Sequence, residues 1–234
     1  MEDTEFDQAL IRSAFALAGE KGWPAASIAE AARRADLSLS KARERFPNRA
    51  ALLLKFGRMA DQTALAETPK EGTVRDRLFY LIMQRLDVLQ THRAGILALM
   101  RALPTQPDTT ALLACATRRS MRWLLEAAGV SSRGLRGDIR TGGLLAIWLW
   151  ALRAWQADET ADLSQTMSAV DNALQRAERF AGWLGGAEVP SPPPSEQVSV
   201  SEIVQGEPPE PESPPPPAPG PEAPPTSLPP EPLA

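Results

Sequence analysis

Residues 27–52 read SIAEAARRADLSLSKARERFPNRAAL, and the punctuation inside this stretch decides the fold. Ser27 followed three residues later by Glu30 has the capping-box layout: the Ser hydroxyl takes an orphan amide near Glu30, and the Glu returns to the Ser amide. A helix therefore starts there, runs through EAARRA and halts at Ala35-Asp36-Leu37, where Asp36 tolerates the left-handed or turn conformation of a tight corner. Ser38 is a fitting N-cap for a short helix from Leu39 to about Arg45. Phe46-Pro47-Asn48 breaks that helix, and Asn48 caps the next one from Arg49 onward. At about 100° per residue, Ala42 and Phe46 share the inner face of the short helix, with Leu37 just ahead. Ser40, Lys41, Glu44 and Arg45 point away, with Leu39 and Arg43 on the flank. A helix, a tight turn and a second helix with a polar, cationic outer face form a helix-turn-helix, whose second helix enters the major groove of DNA.

Upstream, Ala9, Ile11, Ala14, Phe15, Leu17 and Ala18 recur at helical spacing and predict an opening helix that stops at Gly22. Downstream, the periodicity predicts helices over Val74 to Leu89, Arg93 to Leu103, Thr109 to Ala128, Leu135 to Gln156 and Leu163 to Leu184, divided at Gly72, His92, Pro104/Pro107, Gly129 to Ser132 and Asp158. The expectation is an all-α chain of about nine helices. Three regions are expected: a helix-turn-helix head over 1–58, a helical ligand-binding and dimerisation body over 59–186, and a disordered Pro/Glu-rich tail over 187–234.

Composition separates the tail from the rest. With 43% hydrophobic residues the chain can bury a sizeable core. Residues 187–234, however, hold 18 of the 23 prolines and eight acidic residues, with no Lys or Arg. Such a segment lacks the apolar surface to offset its ordering entropy. Removing its eight from the 29 acidic residues leaves 21 against 25 basic ones, so the helical part is cationic although the whole chain carries −4. Eight basic residues lie between Arg33 and Arg58 against only Asp36 and Glu44, the electrostatic footprint of a polyanion partner. Cys115 is alone, which excludes a disulfide framework and fits a reducing cytoplasm. The acidic start MEDTEFDQAL does not read as a signal peptide, and the apolar run from Gly143 to Leu152 is far shorter than the roughly 20 residues a membrane span needs.

The stretch AFALAGEKGWPAASIAEAARRADLSLSKARERFPNRAALLLKF resembles the N-terminal domain of the TetR family of transcriptional regulators. The likeness covers residues 9–56 and rests on the corner Glu20-Lys21-Gly22-Trp23, the second helix from Ser27, the turn at Leu37-Ser38, and Phe46-Pro47-Asn48-Arg49 with Leu52. It implies an all-helical homodimer with a small DNA-binding head and a larger ligand-sensing body, acting as a repressor on a pseudo-palindromic operator in double-stranded DNA. Ser38, Leu39, Ser40, Lys41 and Arg43 are then expected nearest the bases. Arg45, Asn48 and Arg49 are expected at phosphates, and Ser27 joins this DNA-facing set. The recognition helix departs from the family pattern, which has Gly where Asp36 stands, a small residue at Ser40, Thr at Lys41 and Tyr at Arg43. Arg43 can instead reach a phosphate or bond bidentately to guanine, Leu39 can touch a thymine methyl, and Glu44 can accept from cytosine.

In the body, Leu144, Leu145, Ile147, Trp148, Leu149, Trp150, Leu152 and Trp155 are apolar around nearly the whole circumference of one helix, which must be buried on all sides. With Phe180, Trp183 and Leu184 they predict that the last two long helices pair with their copies in a second chain, Trp148, Leu152, Trp155, Phe180 and Trp183 forming the interface. Phe79, Met83, Met100, Met121 and Trp123 are the candidates to line a pocket for a small apolar effector, with Arg77, Tyr80 and Asp87 as its polar groups. His92 reads as a capping or exposed residue. No phosphate loop, nucleophile elbow or metal-spaced ligand pair appears, so neither an enzyme nor a metal or cofactor is expected. An alternative function belongs to another class. Some accessory proteins of ubiquinone biosynthesis resemble TetR folds that have lost DNA binding and hold an isoprenoid lipid, and the degenerate recognition helix is compatible with that role.

Overall fold

Local signals account for most of the helix ends. The computed structural model describes residues 2–160 and 162–183, with side chains as far as Arg179. Within them lie nine helices: α1 (Asp3–Lys21), α2 (Ile28–Arg34), α3 (Leu39–Arg45), α4 (Arg49–Ala66), α5 (Val74–Gln90), α6 (Arg93–Ala102), α7 (Pro107–Ala127), α8 (Gly134–Ala157) and α9 (Ser164–Trp183). Ser27, Ser38 and Asn48 each accept a backbone amide three residues on, as N-caps do. The Ser27 box is only half made, because the Glu30 carboxylate pairs with Lys21 instead of returning to the cap. Complete boxes close α1, between Glu2 and Glu5, and α5, between Thr73 and Asp76.

The corner between α2 and α3 is a Schellman motif. The amide of Leu37 donates to Ala32 O at 2.8 Å and that of Asp36 to Arg33 O at 3.1 Å, with Asp36 at φ 52° where glycine is the usual occupant. Gly129 ends α7 in the same way, at φ 82°.

One apolar core runs through all the described helices, which belong to one compact unit. Phe6, Leu10, Ile11, Phe15, Trp23, Phe46 and Leu52 fill its head end. Leu81, Ile82, Leu86, Met121, Leu124 and Trp155 fill the body. The boundary expected at residues 58 and 59 falls inside α4, which continues as one helix from the helix-turn-helix into the body. A second tie is the seam between α1 and α6, where Gly95 lies against the Phe15 backbone and Gly19 against Ala94. His92 is half-buried there, its ring 5.3 Å from that of Phe15 and 5.5 Å from that of Phe56. Burial holds its pKa below the usual imidazole value, with Arg12 adding to the effect. The Pro-rich segment 187–234 lies outside the described residues, as does the side-chain placement of Phe180 and Trp183.

Candidate nucleic-acid interface

The short helix α3 stands on the surface of the head, held by Ala42 and Phe46, which are 1% and 2% exposed. Leu39, Ser40, Arg43 and Glu44 are exposed, and Leu39 at 45% is one of the few large apolar side chains left in solvent. Ser27, Ser38 and Asn48 are exposed too, but their side-chain oxygens are engaged as caps. The remaining hydroxyl proton or amide group of each is what a phosphate would meet.

The cations divide into two groups. Arg45 is turned back into the protein: its Nε and Nη2 donate to the two carboxylate oxygens of Asp7 at 2.6 and 2.7 Å, and its Nη1 donates to Asp3 at 2.7 Å. Lys41 pairs with Asp3 at 2.7 Å and lies 5.0 Å from the centre of the Phe6 ring. Lys55 of α4 completes the network at 2.9 Å from Asp7. Arg49 donates to the carbonyls of Trp23 and Pro24, bracing the α1–α2 corner. Arg43 makes one weak bond, to Pro47 O at 3.2 Å. Arg45, expected at a phosphate, is therefore an internal strut, and its partners Asp3 and Asp7 are the residues that sequence reasoning missed. A signal existed: Asp3 and Asp7 are four apart on one helix, and Lys41 and Arg45 are four apart on another, so each pair shares a face.

The carboxylates carry the electrostatic mark of these contacts. Lys41, hydrogen-bonded to Asp3, holds that carboxyl below the usual range, with Arg45 adding to it. Burial alone would push Asp7 up, but Arg45 and Lys55 outweigh it and bring its pKa down. Arg34 does the same to Glu20, to which its guanidinium forks.

The structure does not gather the pocket candidates. Met121 is fully buried, Trp123 is 62% exposed, and Phe79, Met83 and Met100 are half-buried. Met121 and Trp123 are separated by about 200° around α7, so they cannot line one cavity. The buried cation of the body is Arg85, whereas Arg77 and Tyr80 are half-buried and Asp87 is exposed. Arg85 is 6% exposed, joins Asp61 of α4, and lies 4.7 Å over the Trp148 ring. Asp61 also accepts from Ser120 of α7.

The expected interface residues Trp148 and Trp155 are corrected likewise. They point into the chain's own core, 3% and 0% exposed, with Trp155 Nε1 donating to Gln90 at 2.8 Å and Arg93 over its ring; Leu152 is half-buried. The outer face of α8 instead exposes Leu135, Ile139, Leu149 and Trp150, at 78%, 60%, 57% and 55%. Gly142, Gly143 and Ala146 lie on the same face between them, and a side chain at either glycine would meet nothing within 4 Å. Among the described residues no helix is long and apolar enough to cross a membrane, and no group of three metal-ligating side chains occurs.

No protein-family profile matches the chain, and no curated protein matches it. Solved structures do. A TetR transcriptional regulator from Nitrosomonas europaea is 23% identical over 75% of this chain and 99% of its own, with a TM-score of 0.60. A tetR-family transcriptional regulator from Streptomyces coelicolor is 20% identical over 78% and 85%, at 0.56. GusR of Salmonella enterica is 17% identical over 75% and 96%, at 0.51.

Proposed function

Taking as premise that the chain has the fold of TetR-family transcriptional regulators, we propose that it is a DNA-binding regulator that acts as a homodimer and responds to a small effector. The observation that carries this reading is the exposed edge of α3, where Leu39, Ser40 and Arg43 stand clear of the core behind a made turn and two made caps. An arginine can bond bidentately to guanine O6 and N7, and a leucine can meet a thymine methyl, so the edge has the chemistry for direct readout. Selection of bound sites from random duplexes tests it. A half-site repeated at one helical turn is the expected result, and Arg43→Ala should lose about 1–3 kcal/mol of discrimination at one position of each half-site. Absence of any enriched site would end the reading.

The dimer is expected on the outer face of α8. Its central residues are self-complementary about positions 144 and 145: Gly142, Gly143 and Ala146 sit near the centre, and Ile139 lies as far to one side as Trp150 to the other, with Leu135 one turn further out. An antiparallel crossing of two copies would bring the small residues into close contact and set the large ones of one copy beside those of the other, which is what a two-fold interface requires. Ile139→Glu would place two carboxylates in that contact. It should raise the dimer dissociation constant at least about 100-fold, because each unpaired buried charge costs several kcal/mol. Sedimentation equilibrium reads this directly, and an unchanged dimer would remove α8 from the interface.

For the alternative, lipid binding with DNA binding lost, one observation bears on the loss of DNA contact alone: Lys21, Arg34, Lys41, Arg45 and Lys55 of the head already pair with carboxylates of the same chain. The comparisons lend it no support. Native mass spectrometry of protein purified from its host should then show a bound isoprenoid lipid, and an empty body would count against it.

A further inference from the structure

The cations of α3 differ in how they are held, and the difference originates on α1. Asp7 is 2% exposed, grips Arg45 with both oxygens and takes Lys55 as well. Asp3 has a side chain 64% exposed and reaches Lys41 and Arg45 from the outside. Releasing Arg45 would leave a buried carboxylate with one cation in place of two, a costly state. Releasing Lys41 would only leave the exposed Asp3 carboxylate to Arg45 and water. Arg43 has no carboxylate partner among the described residues.

We infer that Asp3 and Asp7 decide which side chains of α3 read DNA: Asp7 withdraws Arg45 into a structural strut, Asp3 occupies Lys41 until an operator phosphate displaces it, and Arg43 is the cation left for the bases. The inference rests on the regulator reading. A carboxylate and a phosphodiester compete for the same ammonium group, and the diester wins where counterion release from the duplex adds to the attraction. Asp3 is then a built-in competitor that lowers affinity for any duplex at low salt, whereas Asp7 is a positioning residue that never leaves.

The test uses the full chain, the duplex that the wild-type protein selects, and salt from about 50 to 300 mM. Asp3→Asn should tighten binding by a dimer about 2- to 30-fold at the lowest salt, as expected for freeing Lys41 from one exposed pair in each head while Asp7 keeps Arg45 in place. The gain should shrink as salt rises. Adding Lys41→Ala should cancel it. Arg45→Gln should lower the melting temperature but leave the salt slope unchanged, whereas Lys41→Ala should reduce that slope by about one per head. If the wild type binds and Asp3→Asn binds no tighter, or gains equally without Lys41, the inference fails while the regulator reading stands. If no duplex is retained by either protein, both fall together.

Discussion

Gly95→Ala should be the most destabilising single methyl added to the seam between α1 and α6. A methyl group there would lie 2.2 Å from the carbonyl oxygen of Phe15 and 2.8 Å from its carbonyl and α carbons. These are backbone atoms in the middle of α1, so neither partner can rotate away, and one helix must lift off the other. Overpacking that a flexible side chain absorbs costs about 1–3 kcal/mol. With backbone on the other side we expect at least about 3 kcal/mol, a large part of the roughly 5–15 kcal/mol that a domain has. A chain of this size should lose about 6–12 °C in melting temperature. Gly19→Ala is the internal comparison, because its methyl would meet the Ala94 β-carbon at 2.9 Å but backbone atoms only at 3.4 Å, so the helices would have to part by less. Equal losses for the two variants, or a loss under about 1 kcal/mol at Gly95, would show that the seam is looser than its geometry.

Asp7→Ala is expected to be the next most damaging change. It removes a buried carboxylate and leaves Arg45 and Lys55 facing the space it occupied. Breaking a fully buried pair costs about 3–5 kcal/mol. The side chains of Arg45 and Lys55 are 24% and 38% exposed and recover some hydration, so about 2–3 kcal/mol is the expected loss. The pH dependence gives a second readout. The folded-state pKa of Asp7 is depressed, so its contribution is fully present above the unfolded carboxylate value near 4 and is lost as pH falls through the folded value. The melting temperatures of wild type and Asp7→Ala should therefore differ most above about pH 5 and converge as the solution is taken toward pH 2. A gap that persists undiminished in acid would mean that the charge of Asp7 is not what stabilises the head.

The helix-turn-helix was legible because its signals are local. A Ser or Asn that accepts an amide three residues on, and an Asp that can turn left-handed, act within one turn of chain, and the structure has Ser27, Ser38, Asn48 and Asp36 in those roles. The failures are all failures of partner or phase. Glu30 had the right spacing for a reciprocal cap, but an ammonium group on the preceding helix was a stronger partner than a backbone amide. Arg45 read as outward-facing because nothing near it in sequence could claim it; its carboxylates lie 38 and 42 positions upstream. In α8 the apolar residues surround the axis, so periodicity carries no information about which side faces the chain's own core. Leu144, Trp148, Ala151 and Trp155 took that side, and their immediate neighbours Leu149 and Trp150 were left outside.

The continuity of α4 has a consequence for phase. From Arg49, braced against the first corner, to Asp61, held by Arg85 and Ser120, there is no break in the helix. One residue inserted near Gly57 would turn the upper part of this shaft by about 100° and lengthen it by about 1.5 Å, whereas seven would bring it back to within about 20° of its starting angle. The body thus sets the azimuth at which α3 is presented. A head transplanted onto another bundle of this fold would face its target only if the donor and recipient shafts were joined at matching angular positions.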